Sequence, residues 1–412
     1  MSKKNDRDIL RNLAAQVAEI ADKDIQDERR QLWSAHNSFE RKRPPIYIRG
    51  GGWIDEIISP QLECEDKFFR KHELYLRRII YQDTLGDDYI VEPWITQSAS
   101  YILPDNGHWG VKVSREESSQ TKGAFKVDYP LKNLEDMEKL VTPSHKIDEI
   151  KTQKNVNKLE QTLGDILEVA VDRGPFYRVW SGDISTDLGY LRGIENFMLD
   201  VYDNPHKLHQ LLSFLRDSIL KVHREAEENG DWQLNNHENQ SMPYCKELKH
   251  PAPNSGGVGR EELWGFLAAQ EFSEMSPEHH YEFMLKYQIP ILEKFGLTAY
   301  GCCEDLTHKI DILREIPNLR RIAVTPFAEV PVCAEKIGPD YICSWRPSPS
   351  ATVCYKFDED KVRKIITEAL SDFRRYDCYV DICLKDVHTV QNDPDCLRRF
   401  VNIARECISN LY

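Results

Sequence analysis

Short apolar runs alternate with helical stretches through most of the chain. Eight runs read as strands, at residues 45–48, 89–95, 176–181, 232–237, 297–302, 319–325, 341–345 and 378–384. Between them, apolar positions recur at helical spacing over 193–228, 276–295, 307–315, 328–337 and 358–375. Ahead of the first strand, Ile9, Leu10, Leu13, Val17 and Ile20 form one stripe in the otherwise charged segment 6–40. Arg43-Pro44-Pro45 then stops any helix and starts an extended run. This alternation predicts an α/β fold, a (β/α)8 TIM barrel over 44–412 with an N-terminal helical extension over 1–43. A doubly wound open sheet is the alternative, but no Gly-rich first turn supports it. Gly50-Gly51-Gly52 lacks the dinucleotide spacing and reads as a tight turn. Residues 103–150 break the alternation, and 108–113 read as an inserted hairpin.

Composition narrows the partners. The 412 residues are 41% hydrophobic, enough for one large core. Net charge is −14, from 54 basic and 68 acidic residues, and no basic patch favours nucleic acid. No apolar run is long enough to span a bilayer. The polar start Met1-Ser2-Lys3-Lys4 predicts no secretory leader. The 11 cysteines lack a framework spacing, so reduced thiols in the cytoplasm are expected. A homodimer is compatible with all of this.

In a barrel the active site lies where strands end. Those ends carry Arg49, Trp94, Asp183, His237, Cys302, Glu304, Trp345, Arg346, Cys383, Lys385, Asp386 and His388. Tyr300-Gly301-Cys302-Cys303-Glu304-Asp305 is the most unusual, because thiolate with carboxylate or imidazole suits zinc. On a strand Cys302 and Glu304 would share a face, with Cys303 turned away. Asn235-Asn236-His237-Glu238 makes a poor core strand and adds His237 as a ligand candidate. Asp386-Val387-His388-Thr389-Val390-Gln391 begins like a corrinoid-carrying DxHxxG loop, but Gln391 replaces the glycine. The chain is therefore not expected to carry its own corrinoid. No GxSxG elbow supports a serine hydrolase.

Several stretches, in order, resemble the uroporphyrinogen decarboxylase superfamily. They are Trp33-Ser34-Ala35-His36-Asn37 with Arg43-Pro44-Pro45-Ile46-Tyr47, the run from Leu191 to Pro205, Gln270-Glu271-Phe272, Tyr300-Gly301-Cys302, Ile316-Pro317-Asn318-Leu319 and Leu384-Lys385-Asp386-Val387-His388. The chain looks more like the corrinoid-dependent methyltransferase branch than the decarboxylase, since Gly50-Gly51-Gly52-Trp53 replaces the decarboxylase's substrate-binding Gln-Ala-Gly-Arg. The resemblance implies methyl transfer between a small methylated substrate, such as a methoxylated aromatic, and the cobalamin of a separate corrinoid protein. It implies zinc bound through His-x-Cys and a later cysteine. Tyr300 stands at the histidine's place, so the expected ligand set is Cys302 and Cys383 with His237 or Glu304 supplying the missing ligand. Lys385, Asp386 and His388 are the expected catalytic residues, with Lys385 or His388 protonating the departing atom. Tyr47, Trp94, Asp183, Trp345 and Arg346 are the expected substrate-binding residues. A tetrapyrrole decarboxylase and a non-catalytic barrel are the competing readings.

Overall fold

The computed structural model describes residues 5–116 and 126–412. Helices α1 (Asp6–Ala21) and α2 (Asp24–Asn37) open the chain, followed by β1 (Ile46–Ile48), α3 (Lys67–Thr84) and β2 (Trp94–Ser98). A short antiparallel hairpin, β3 (Ser114–Glu116) with β4 (Lys126–Asp128), precedes α4 (Glu149–Leu163) and β5 (Glu168–Asp172). The expected hairpin at 108–113 is thus displaced along the chain; residues 1–4 and 117–125 lie outside the described residues. Helices α5 (Ser185–Arg192), α6 (Ile194–Asp203) and α7 (Pro205–Glu228) come next. Strands β6 (Trp264–Leu267), β7 (Leu297–Tyr300), β8 (Leu319–Val324), β9 (Ile342–Trp345) and β10 (Tyr379–Leu384) complete the sheet, with helices Val330–Ile337, Glu359–Arg375 and Asp395–Leu411 among their connections and at the end.

The eight parallel strands fall into a six-stranded sheet, in the order β1-β10-β9-β8-β7-β6, and a separate β2-β5 pair. The fold is barrel-like, but the expected closed eight-strand barrel is interrupted at two seams. Side-chain hydrogen bonds and isolated backbone bonds, not strand ladders, bridge both. At the free edge of β1, Ile46 and Ile48 donate their N–H groups to Asp88 Oδ2 and Asp87 Oδ2, each at 2.8 Å, and Asp88 N–H donates to the Ile46 carbonyl at 2.7 Å. Buried edge amides must find such acceptors. At the other seam the segment 233–238 lies between β5 and β6. Asn236 Nδ2 donates to Asp172 Oδ1 at 2.7 Å, and Glu238 N–H donates to the Trp264 carbonyl at 3.2 Å.

This second seam explains two misplaced strands. Residues 232–237 contain a single helical turn, Leu234–Asn236, because asparagine side chains compete with the backbone for hydrogen bonds. Residues 176–181 likewise end in a helical turn, and the strands β5 and β6 were not expected from the sequence pattern. β5 is short and starts on an exposed Glu168, whereas β6 is Trp-Gly-Phe-Leu with no alternation.

Strands β6, β7 and β9 are buried along their whole length, as strands covered on both faces must be. Ile382, Leu384, Cys343 and Trp345 face the helical layer, where Trp345 meets Phe373. Period-two alternation sends Asp381, Cys383 and Lys385 to the other, lumen face. Asp381 closes the floor. It accepts from Arg321 Nη2 at 2.8 Å and from Ser344 Oγ at 3.1 Å, and pairs with His36 Nε2 at 3.2 Å. Trp33 and His36 are both buried, so α2 plugs the N-terminal end of the lumen. Cys383 lies one layer above, with Trp33, Tyr47, Ile90 and Tyr244. The glycine run also has a packing reason: a Cβ on Gly52 would sit 2.4 Å from the His388 carbonyl oxygen. Among the described residues, no helix is long and apolar enough to cross a membrane.

Candidate active site at the lumen mouth

The C-terminal ends of β1, β7, β9 and β10 bring Arg49, Cys302, Cys303, Arg346, Lys385 and Asp386 to one mouth. Lys385 is the first residue past β10 and is 6% exposed. Its Nζ lies 2.8 Å from Cys302 Sγ, 3.3 Å from Cys303 Sγ and 3.1 Å from Asp386 Oδ2. The two sulfurs are 3.6 Å apart, and Cys303 Sγ is 3.5 Å from Asp386 Oδ2. Arg346 donates to the Cys302 carbonyl.

Two left-handed residues create this convergence. Gly301 has φ +95°, which only glycine adopts without strain, and a Cβ there would meet Leu306 at 2.6 Å. The turn ends the strand's alternation, so successive cysteines face the same ammonium. Asp386 has φ 57°, a conformation that aspartate tolerates, and its exposed carboxylate turns back toward Lys385.

The electrostatics follow from the contacts. The hydrogen bond from Cys303 lowers the Cys302 thiol most; burial opposes it, and Arg346 and Lys385 add to it, so the thiol is held below its ordinary value. Cys303 keeps its proton, because donating it to Cys302 and partial burial both push its own thiol up. Burial and Arg346 push the Lys385 ammonium down, but Cys302, Cys303 and Asp386 outweigh them and hold it above its ordinary value. The contacts therefore favour a thiolate at Cys302, a thiol at Cys303 and an ammonium at Lys385.

A separate cavity of about 880 Å³ has Trp109, Trp180, Asp187, Tyr190 and Glu271 among its walls, and none of the cluster residues lines it. Trp180 joins the two: it packs on Phe266 at 5.3 Å and belongs to the apolar cluster around Cys302 and Cys303. Burial raises the Asp187 carboxyl to about 7, although the indole of Trp109 donates to it at 2.9 Å.

Of the residues expected from the sequence, Cys302, Arg346, Lys385 and Asp386 are brought together. The others are not. His237 uses both ring nitrogens on backbone, Nε2 with the Lys249 carbonyl at 3.0 Å and Nδ1 with Trp264 N–H at 3.1 Å. Trp264 begins β6, whereas Cys302 lies beyond the end of β7. Glu304 is a strut, accepting from the N–H groups of Cys302 and Ala269 at 2.8 Å each. Cys383 is fully buried in the apolar layer below the mouth. His388 projects into solvent. Tyr47 stacks on Tyr89 at 5.7 Å inside the lumen, and Trp94 starts β2 rather than ending it. Asp183 turns into the start of α5, accepting from Thr186 N–H at 2.7 Å and Oγ1 at 2.9 Å. Trp345 faces the helices. Cys303 and the cavity walls Trp109 and Asp187 were missed. The adjacency of Cys303 to Cys302 was its only signal, and strand alternation argued against it.

The zinc set expected from the resemblance does not fit these residues. His237, Glu304 and Cys383 each have another occupation, and no group of three or more His, Cys, Asp or Glu among the described residues is arranged to hold a metal.

Fold and site together define a barrel-like α/β protein with a thiolate–ammonium pair at the mouth. No protein-family model matches the chain, and no curated protein matches it. Solved structures do. One is a methyltransferase from Methanosarcina mazei, 12% identical, with a TM-score of 0.52 over 92% of this chain and 98% of that one. At that identity the likeness is one of fold.

Proposed function

We propose that this chain is a methyltransferase that moves a methyl group between a small methylated substrate and the corrinoid of a separate protein. The observation that carries the reading is the Lys385–Cys302 pair at the lumen mouth, linked through the packing of Trp180 to an aromatic-walled cavity of about 880 Å³. The partner's reduced corrinoid supplies the nucleophile, so the chain's task is the leaving group. Trp109, Trp180 and Tyr190 offer flat apolar faces to hold an aromatic methyl ether or a similar donor. Lys385 is the proton source for the phenolate, alkoxide or amine that departs as the carbon–heteroatom bond breaks. Cys302, as thiolate, keeps that lysine charged and in place.

The test mixes the full-length protein with reduced corrinoid protein and a panel of methyl ethers and methylamines, following methylation of the corrinoid by its visible spectrum. Lys385→Met is expected to slow transfer about 100-fold or more, the usual contribution of a positioned acid. No methylation with any donor, under conditions where the corrinoid stays reduced, refutes the reading. A tetrapyrrole decarboxylase is the second reading. Arg49 favours it, because its guanidinium makes no hydrogen bond among the described residues and is drawn electrostatically to Glu238 and Cys302 across the same lumen.

A further inference from the structure

The aromatic-walled cavity also carries carboxyl groups. Asp187 on α5 and Glu271 just past β6 both line it. Asp187 is only 6% exposed. Its Oδ1 accepts from the Trp109 indole N–H at 2.9 Å, whereas its Oδ2 is buried with no hydrogen-bond partner among the described residues. Buried polar atoms are nearly always matched, so this oxygen calls for a donor. Glu271 accepts from Ser185 Oγ at 2.6 Å, again a neutral group. Burial, and after it the charge of neighbouring carboxylates, pushes Asp183, Asp187 and Glu271 upward, so positive charge is short around Asp187. Lys112 and Arg115 line the same cavity but are exposed, and Arg115 lies over the Tyr190 ring at 5.4 Å. Trp109 and Trp180 contribute indole rings, whose faces attract a cation.

We propose that this cavity binds a small alkylammonium that keeps at least one N–H, with its nitrogen donating to Asp187 Oδ2 and its alkyl groups against the indoles of Trp109 and Trp180. One ligand then supplies both the missing donor and the missing charge. A neutral ether supplies neither. The inference rests on the reading above in taking this cavity as the methyl donor's, and it narrows that donor to a methylated amine.

The experiment titrates the full-length protein with trimethylammonium chloride by calorimetry at mildly alkaline pH, against sodium chloride as the ionic-strength control. Wild type is expected to bind one equivalent. Asp187→Asn keeps an acceptor for Trp109 but removes the charge, and is expected to weaken binding at least about ten-fold, with circular dichroism to establish folding. Tetramethylammonium has the charge without the N–H, and wild type is expected to bind it at least about ten-fold more weakly than trimethylammonium. That comparison needs no variant. No binding by wild type beyond the salt control, equal binding by folded Asp187→Asn, equal affinity for the two ammonium ions, or tighter binding of anisole than of trimethylammonium overturns the proposal. The titration contains no corrinoid, so its failure is distinct from failure to methylate one: ammonium binding without methyl transfer refutes the earlier reading alone, and corrinoid methylation from ethers without ammonium binding refutes this one alone.

Discussion

Replacing Lys385 by methionine keeps the stem and removes the charge that faces Cys302. The ammonium lies 2.8 Å from Cys302 Sγ, and both its charge and its hydrogen bond favour the thiolate. An opposite charge at such range moves a titration by about one to three pH units. The hydrogen bond from Cys303 and the charge of Arg346 survive the substitution, so the thiol is not expected to regain its full ordinary value. Cys302 is held below its ordinary thiol value, so the thiolate is the favoured form beside the ammonium. A rise of about two pH units lowers the thiolate-to-thiol ratio about 100-fold at a given pH. The assay is a pH titration of thiolate ultraviolet absorbance, taken as the difference from Cys302→Ser so that the other ten cysteines among the 11 cancel. Alkylation rates are a poorer readout, because a more basic thiolate is also more nucleophilic and partly masks the loss. A midpoint unchanged by Lys385→Met, or a wild-type midpoint at the ordinary thiol value, would show that the ammonium does not hold the thiolate.

Two further perturbations test the fold beneath the site. Arg321→Met leaves Asp381 as a buried carboxylate without its guanidinium and is expected to cost about 3–5 kcal/mol in urea unfolding at neutral pH; a loss below about 1 kcal/mol would mean the floor is not held by this pair. Burial pushes Asp381 up, but Arg321 and His36 outweigh it and hold it below its ordinary value, so its contribution is present above the unfolded carboxyl pKa and is lost as pH falls through the folded one. His280 gives a pH dependence of the same sign from a buried neutral group: burial lowers it to about 3 while Nε2 pairs with the Tyr300 hydroxyl at 2.8 Å. The unfolded chain takes up that proton first, so stability should fall from about pH 6.5 toward 3, and His280→Gln should flatten the dependence by about 1.4 kcal/mol per pH unit. An identical pH profile in the variant would remove His280 from the account.

The period of the apolar pattern determined a good deal by itself. Five of the eight parallel strands were legible because β1, β7, β8, β9 and β10 are short apolar runs bounded by polar residues; the run expected at 89–95 meets β2 only at Trp94 and Ile95. The concentration of chemistry at strand ends was legible for the same reason, and it pointed to Cys302, Arg346, Lys385 and Asp386. Only the tertiary structure decided which of those ends meet. Cys302 and Lys385 are 83 residues apart, and parallel strands bring their C-terminal ends together whatever lies between them. Side-chain direction past a strand end was also hidden, because φ +95° at Gly301 and φ 57° at Asp386 override the alternation that sequence reading relies on. The same limit misassigned His237 and Glu304: their polar atoms suit a metal, but backbone N–H and C=O groups at the seam and the mouth had to be satisfied, and these side chains were the nearest partners.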